Sequence, residues 1–251
     1  MKLTNQLFRK RLYIDLIKVS VLIDDRICRN KNVKAVHGLS LYIEFRDKHI
    51  LFDTGPNPDI LQFNVEKLDV DLELLDYVVI SHEHPDHYSG LPYIGWTTPL
   101  LKTYIPYGSW ETIGLLAKKN DLQPIEVNDW LELDNNITIT KPIHGPPYEH
   151  FLITIDNGGL IVFTGCFHPN PSVLRDIAKR FNTRIKYLIG GLHFSNGPQH
   201  VIDTAINVFE EIGIEKIAPL HCTHDRLINR LKERGFDIIA ESCCGGVFKL
   251  E

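Results

Sequence analysis

Apolar and polar residues alternate along much of the first half of the chain, which is the pattern of β-strands that bury one face. Residues 12–23 alternate with one interruption and predict a first strand that contains a bulge. Residues 39–45 alternate without interruption, residues 46–48 are polar, and residues 50–52 are again apolar. These segments therefore predict a β-hairpin with its apolar face turned inward.

Helix signals separate the predicted strands. Asn57 stands before Pro58, which places an N-cap residue ahead of a proline at the first helical position. Apolar residues follow at positions 61, 65 and 68. The same pair at Asn170 and Pro171 predicts another helix of this kind. Periodic apolar residues predict further helices over residues 109–119, 199–212 and 225–234.

The remaining apolar runs are short and are typical of strands. They cover residues 77–80, 100–105, 130–133, 137–140, 150–155, 160–163, 187–189, 216–220, 236–240 and 247–250, whereas residues 90–96 are expected to be irregular. Strands in hairpins with helices in each half predict an α/β (α+β) fold in which two sheets pack face to face with helices outside. We expect one domain over residues 1–251 built of two similar halves, although the length also fits a plain α/β domain.

The composition restricts the classes of partner. The chain has 251 residues, of which 43% are hydrophobic, and a formal net charge of −5. This length supports a large core, and the charge gives no field that would attract nucleic acid or an anionic membrane, so neither is expected as a partner. Asp15 and Lys18 interrupt the apolar N-terminal stretch, unlike a secretory signal. Five cysteines without the spacing of a disulfide framework favour a reducing cytosol and predict a cytoplasmic protein.

One segment concentrates residues of the types that bind metals. Directly after the apolar run at 77–80, four potential ligands stand within six residues: His82, His84, Asp86 and His87. The carboxyl ends of strands carry the chemistry in α/β folds, and Pro85 helps the chain to turn there. Three imidazoles and a carboxylate suit Zn²⁺, with Fe or Mn as alternatives. A solvated, histidine-rich loop is the simpler interpretation of the same segment.

Three more predicted strands end in residues of similar chemistry. Cys166 and His168 follow the run at 160–163, His221 follows the run at 216–220, and His193 follows a pair of glycines after residues 187–189. A cysteine thiolate is a strong ligand for Zn²⁺, but Cys166 also fits as a small buried residue. His193 is expected to donate a proton or bind phosphate, unless it is a packed histidine without a function.

The order His82-x-His84-x-Asp86-His87, preceded by Leu-Phe-Asp-Thr-Gly at residues 51–55, resembles the metallo-β-lactamase superfamily from about Leu39 onwards. Residues 37–40, 164–169, 189–193 and 218–223 are similar, within that superfamily, to the dihydropterin-ribofuranosyl-aminobenzene-phosphate synthases of methanopterin-type cofactor biosynthesis. The resemblance implies a four-layer αββα sandwich that holds two cations.

The same resemblance implies a role for each ligand-type residue. It assigns His82 and His84 to the first cation, and Asp86, His87, Cys166 and His221 to the second, with Cys166 able to bridge the two. The third imidazole of the first cation is either His144 or His168, and the fuller motif around His168 favours the latter. Asp53 would hold a ligand histidine in one tautomer from behind, or would only cap a turn.

Other residues are expected to meet the substrate. The resemblance places His37 and Ser40 on the rim, and the glycine at Gly191 would allow the backbone to approach a ligand closely. Asp86 would orient a water, and His193 would supply a proton. The segment between Ile139 and Glu149 is shorter than the synthase pattern, which leaves the form of the substrate pocket open.

Two divalent cations, Zn²⁺ or alternatively Mn²⁺, Fe or Mg²⁺, would activate a water and neutralise a leaving group. The resemblance therefore implies a dinuclear enzyme that joins a small, anionic, phosphorylated pterin to an aminobenzene ribofuranosyl phosphate. A metal-dependent hydrolase of an ester, lactone, thioester or phosphodiester is the alternative. A di-iron redox protein fits His84 less well, and a structural zinc site fits the histidine-rich ligand set less well. The substrate and the oligomeric state are left open.

Overall fold

Two seven-stranded sheets pack face to face, and helices cover the outer face of each. The computed structural model describes residues 16–156 and 158–250. The predicted αββα arrangement of sheets and helices is thereby confirmed. The part of the first predicted strand that precedes Leu16 lies outside the described residues.

The described residues form fourteen strands and seven α-helices. The strands are β1 (Ile17–Ile23), β2 (Ser40–Phe45), β3 (Lys48–Phe52), β4 (Tyr77–Val79), β5 (Lys102–Pro106), β6 (Gln123–Val127), β7 (Leu131–Asp134), β8 (Ile137–Ile139), β9 (Leu152–Asp156), β10 (Gly159–Thr164), β11 (Ile185–Gly191), β12 (Lys216–Leu220), β13 (Asp237–Ile238) and β14 (Val247–Leu250). The α-helices are α1 (Pro58–Leu68), α2 (Pro85–Tyr88), α3 (Leu91–Thr97), α4 (Leu115–Lys119), α5 (Val173–Phe181), α6 (Gln199–Glu211) and α7 (Asp225–Glu233). β1–β3 and β6–β10 follow one another without an intervening α-helix.

Each half of the chain contributes one sheet, apart from the last strand. The first sheet has the order β14-β1-β2-β3-β4-β5-β6, and the second has the order β13-β12-β11-β10-β9-β8-β7. β3 to β6 run parallel in the first sheet, and β10 to β13 run parallel in the second. Because parallel strands end at the same edge, the residues that follow β3, β4, β10, β11 and β12 can meet at one side of the sandwich.

The main core lies between the two sheets. Phe52 of the first sheet and Phe163 of the second are fully buried there, with ring centroids 6.4 Å apart. The alternate residues of several strands pack outward against the helices and form a second and a third apolar cluster. Strands such as β10 are therefore buried along their whole length, and residues 160–163 of β10 are all apolar.

The predicted hairpin is confirmed, and the first strand contains an irregularity, although not where the alternation is interrupted. β2 and β3 pair antiparallel from Leu41 opposite Phe52 to Phe45 opposite Lys48. The register between β1 and β2 shifts between Val21 and Ile23, at the end of the first strand. The alternation in the sequence is interrupted earlier, between Leu16 and Val19, where β1 pairs with β2 in regular register, so the interruption did not locate the irregularity.

Helix boundaries were predicted with mixed success. The side chain of Asn57 accepts hydrogen bonds from the backbone of Asp59 and Ile60, which confirms the predicted N-cap of α1. The equivalent prediction at Asn170 is wrong, because its side chain accepts from the N–H of Ser172 and α5 begins only at Val173. The irregular segment predicted over residues 90–96 is also wrong, since α3 forms there with its proline in the first turn, where no N–H is required.

The cysteines correct another expectation. Cys28 and Cys243 form a disulfide with their Cα atoms 5.2 Å apart, while Cys166, Cys222 and Cys244 are free. The expectation from the number and spacing of the cysteines therefore missed one disulfide, whose two cysteines lie near opposite ends of the chain. Within the two described ranges, none of the helices combines the length and the apolar character needed to cross a bilayer.

Candidate metal centre

The first group of ligand-type side chains consists of His82, His84 and His168, which we call the first cluster. One ring nitrogen from each lies within 4.8 Å of the other two, and His82 Nε2 is 3.0 Å from His84 Nδ1. The first two residues follow β4, and the third follows β10 across the sandwich. The sharp turn that begins α2 at Pro85 lets His82 and His84 approach the same point, as the sequence predicted.

In His82 and His168 of the first cluster, the ring nitrogen Nδ1, which we call the outer nitrogen, has a polar partner. His82 Nδ1 is 2.8 Å from the hydroxyl of Ser81, and His168 Nδ1 is 3.1 Å from a carboxylate oxygen of Glu149. These contacts leave Nε2 of both rings free to face the centre of the cluster. Partners of this kind fix the orientation of a ligand histidine and raise its basicity.

Glu149 is a functional residue that the sequence analysis missed. Its fully buried carboxylate accepts backbone hydrogen bonds from residues 165, 166, 167 and 168 at 2.9–3.1 Å. Burial raises the pKa of Glu149, but the bonds to His168 and to these backbone N–H groups outweigh it and lower the pKa. An ionised carboxylate therefore shapes the turn that carries Cys166 and His168. No local sequence pattern marked Glu149, because its partners are 16–19 residues away.

The second group consists of Asp86, His87, Cys166 and His221, which we call the second cluster. His87 Nε2 lies 3.3 Å from both the sulfur of Cys166 and Nε2 of His221. Asp86 Oδ2 lies 3.2 Å from His221 Nε2 and 3.6 Å from His87 Nε2. Helix α2 thus presents Asp86 and His87 towards residues that follow β10 and β12.

Three carboxylates support the second cluster from behind. Asp53 lies 2.7 Å from His87 Nδ1 and also binds the N–H and the hydroxyl of Ser81 at 2.7 Å. Asp25 lies 2.8 Å from His221 Nδ1, and Asp24 accepts the backbone N–H of His221. The predicted position of Asp53 behind a ligand histidine is what the contacts show, whereas Asp24 and Asp25 were not anticipated.

The two clusters fit a pair of divalent cations. Ligands about 2.0–2.3 Å from a tetrahedral cation lie roughly 3.3–3.8 Å from one another, close to the separations of 3.0–3.6 Å between these atoms. Inward-facing imidazole lone pairs repel each other unless a proton or a cation lies between them. Cys166 also groups with His82 and His87, and separately with His221. Its sulfur therefore lies where a ligand could serve both cations.

His144 and Ser40 differ from the other predicted site residues. His144 is exposed and packs against the ring of Tyr148, with ring centroids 5.5 Å apart, whereas the alternative ligand His168 lies in the first cluster. Ser40 is fully buried and donates its hydroxyl to the carbonyl of Asp53. The prediction that Ser40 lies on the substrate rim is therefore wrong, since its side chain supports the turn beneath the site.

Of the remaining predicted residues, His37 and His193 line a cavity of about 650 Å³ beside the second cluster. Its walls include His37, His84, Asp86, His193, Arg26 and Asn196. His37 is 69% exposed at its side chain and contacts Asp25 at 2.8 Å and Asp86 at 3.4 Å. Gly191 does not line this cavity; a Cβ there would lie 2.4 Å from the carbonyl oxygen of Gly165, so the glycine allows two turns of the protein to approach each other.

Comparisons with known proteins give consistent results. A family model described as the metallo-β-lactamase superfamily matches residues 33–204. The 7,8-dihydropterin-6-methyl-4-(β-D-ribofuranosyl)-aminobenzene-5'-phosphate synthase of Methanocaldococcus jannaschii is 25% identical over 270 residues, which cover 88% of this chain and 92% of that protein.

Solved structures show the same similarity. A metal-dependent hydrolase of the β-lactamase superfamily has a TM-score of 0.77 and 26% identity, covering 94% of this chain and 98% of its own. The metallo-β-lactamase fold protein YhfI from Bacillus subtilis has a TM-score of 0.68 and 20% identity, with 94% and 100% covered. The second similarity concerns the fold alone.

Proposed function

The chain belongs to the metallo-β-lactamase superfamily, and from this premise we propose that it is a dinuclear metal-dependent enzyme acting on a small anionic substrate. We further propose a phosphorylated, pterin-like compound as the substrate, as in the name of the relative from M. jannaschii. The observation that carries the proposal is the convergence of seven ligand-type side chains into two adjoining clusters at one edge of the sandwich.

Each cluster would hold one cation, with Cys166 between them. When bound, the cations would act as Lewis acids that activate a water or neutralise a departing phosphate group. The protein supplies the positions of the ligands: Asp53, Asp25 and Glu149 hold His87, His221 and His168 by their outer nitrogens. The ligand rings are therefore oriented before a substrate arrives.

The position and the pKa of His193 support a role for this residue in proton transfer at the rim of the cavity. Its ring is exposed to the cavity and lies 5.0 Å from the ring of His168. A hydrogen bond to Cys222 raises the pKa of His193, although burial opposes this. A histidine with a raised pKa keeps its proton to higher pH than an ordinary histidine, which suits a general acid that protonates a leaving group.

For the synthase version of the reaction, the chain has to bring an amine and a diphosphate ester together. The amine nitrogen of the aminobenzene forms a bond to the pterin methylene carbon, and the carbon–oxygen bond to diphosphate breaks. The amine loses one proton, and the diphosphate leaves as an anion that His193 can protonate. Arg26 and His37 on the cavity wall are suited to binding phosphate groups.

Incubation with both synthase substrates tests the proposal directly. Purified protein is loaded with Zn²⁺, Mn²⁺ or Mg²⁺ and given dihydropterin-methyl diphosphate and the aminobenzene ribofuranosyl phosphate, and pyrophosphate is measured. We expect two cations per chain and pyrophosphate release that a chelator abolishes. His200→Ala is the matched control, because His200 is an exposed histidine on α6 and should leave both quantities unchanged.

Absence of pyrophosphate with all three metals would reject the synthase version while leaving the dinuclear centre intact. The alternative is a metal-dependent hydrolase, and the similarity to a structure described as such favours it as the second candidate. A panel of chromogenic esters, lactones, thioesters and phosphodiesters separates the two. Cleavage of one class without pyrophosphate release would establish the hydrolase.

A further inference from the structure

Cys222 lies beside the second cluster but belongs to none of the ligand positions assigned above. Its sulfur is within 4.8 Å of the sulfur of Cys166 and of a ring nitrogen of His221. The side chain is half-buried and lines the same cavity as Asp86. A free thiol therefore faces the space next to two of the four second-cluster donors.

The fold reserves space for this sulfur. A Cβ on Gly191 would lie 2.9 Å from Cys222 Sγ and 3.2 Å from the Cα of Cys166, so any larger residue at position 191 would displace the thiol. His221 has a left-handed backbone conformation with φ of 48°, which is costly for a residue other than glycine. This turn directs both His221 and Cys222 towards the second cluster.

The backbone around Cys222 is also fixed from the end of β11. The hydroxyl of Ser195 donates to the carbonyl of Cys222 at 3.2 Å, and the hydroxyl of Thr223 accepts from the N–H of Leu192 at 3.0 Å. The thiol makes a long contact of 3.9 Å to the carbonyl of Cys166, and it also interacts with the side chains of Cys166 and His193. A thiol makes only weak hydrogen bonds, so these contacts are weaker than the metal–sulfur bond that would replace them.

We propose that Cys222 supplies a second thiolate to the second cation, so that Cys166 and Cys222 form a two-sulfur face of the centre. This inference rests on the proposed function, because it assumes that cations occupy the clusters. The thiol releases its proton to solvent as the metal–sulfur bond forms. Two soft ligands would make the second position selective for Zn²⁺ over Mn²⁺ and Mg²⁺, which prefer oxygen.

Cobalt substitution tests the number of sulfur ligands without measuring activity. With two Co²⁺ bound, we expect Cys222→Ser to lower the sulfur-to-cobalt charge-transfer absorption by about a third to a half, and the double variant with Cys166→Ser to abolish it. Cys244→Ser is the matched control, because that buried free thiol contacts the carbonyls of Leu22 and Lys34 instead. Its spectrum should match that of the unchanged protein.

A competition measurement separates a ligand from a structural role. Cys222→Ser should weaken binding of the second Zn²⁺ about 10–100-fold and leave Mn²⁺ binding within about threefold. Equal losses for both metals, or an unchanged cobalt spectrum with two Co²⁺ bound, would overturn the inference and leave the dinuclear centre standing. Failure of the unchanged protein to bind two cations would instead reject the proposed function.

A further measurement uses the unchanged chain and does not depend on the folding of a variant. An alkylating reagent should modify the half-exposed Cys222 in the metal-free protein, and two equivalents of Zn²⁺ should protect it. The modified position is read by mass spectrometry of peptides. Alkylation of Cys222 at the same rate with and without Zn²⁺ would contradict the inference.

Discussion

The two clusters lie side by side, yet they differ in the charge of their donors and of their supports. The first cluster consists of three imidazoles, with Glu149 as the carboxylate behind one of them. The second contains Asp86 and Cys166 besides two imidazoles, and Asp24, Asp25 and Asp53 stand behind it. The contrast teaches that carboxylates are concentrated around the second cluster, which would therefore favour concentrated positive charge more than the first cluster would.

In the metal-free protein, the pKa values of the histidines also differ between the two clusters. Burial lowers the pKa of His82, and the neighbouring imidazoles lower it further. Burial also disfavours the charged form of His221, but the bonds to Asp25 and Asp86 outweigh it and raise the pKa of His221 to about 10. His221 therefore keeps its second ring proton at neutral pH when no cation is bound, whereas the lowered pKa values of His82 and His84 keep those two rings neutral.

The largest expected effect comes from removing the charge that distinguishes the second cluster. Asp86→Asn keeps the size of the side chain but removes an anionic donor that lies 3.2 Å from His221. We expect the metal content to fall from two cations to one and the catalytic rate to fall about 10²–10³-fold. Metal analysis and steady-state kinetics measure both quantities, with His200→Ala as the control. Two tightly held cations in Asp86→Asn would contradict the proposed contrast.

The pH dependence of binding should separate the clusters next. Because His221 must lose its proton to bind a metal, affinity for the second cation should rise about tenfold per pH unit from this residue alone, which is about 100-fold from pH 7 to 9. Affinity for the first cation should stay nearly constant, since the pKa of His82 is already lowered. Titration against a chelating indicator at several pH values measures this, and parallel curves for the two cations would refute it.

The raised pKa of His221 also affects the folding stability of the metal-free protein. Its direction determines whether stability rises or falls with pH. The folded-state pKa of His221 is raised above the ordinary value of 6.5 to about 10. The resulting stabilisation is fully present below about pH 6.5 and is lost as the pH rises through about 10. Asp25→Asn should reduce this loss, because it removes one of the two carboxylates that hold the proton.

Glu149→Gln tests the support of the first cluster. The amide is of similar size but cannot supply the charge that five hydrogen-bonding groups now share. We expect affinity for the first cation to fall about 10–100-fold and the free energy of unfolding to fall by about 1–3 kcal/mol. Chelator competition and urea denaturation measure these losses. A larger loss of the second cation than of the first would show that Glu149 does not act through His168.

Asp53→Asn should weaken cation binding least among these variants, but by similar amounts at both clusters, because Asp53 connects the two. It contacts His87 of the second cluster directly and reaches His82 of the first through Ser81. We expect each affinity to fall about tenfold, the lower end of such effects. The comparison would be sharpened if Asp53→Asn weakened both sites while Glu149→Gln weakened only the first. Loss at one site alone would show that the link through Ser81 is unimportant.

The sequence predicted those features that depend on neighbouring residues. His82, His84, Asp86 and His87 lie within six positions after one strand, so their common location followed from strand direction alone. The hairpin β2–β3 and the N-cap at Asn57 are equally local. The sequence favoured His168 over His144 only through its fuller motif, and the packing of the two sheets is what brings His168 to the first cluster.

Features that depend on distant contacts could not be predicted in this way. Glu149 binds a turn 16–19 residues further on, and Asp25 meets His221 across 196 positions. The pairing of Cys28 with Cys243 is of the same kind, since no spacing rule connects them. Ser40 was misplaced because a rim residue and a supporting residue beneath the rim look alike in a local motif.

The disulfide between Cys28 and Cys243 has a topological consequence. The two cysteines are 215 positions apart, so the bond closes the chain into a ring that contains every proposed ligand from His82 to His221. A protease that cuts one loop inside this ring opens it without releasing a fragment. The nicked molecule would still carry both clusters on one covalent body and would separate into pieces only after a reductant was added.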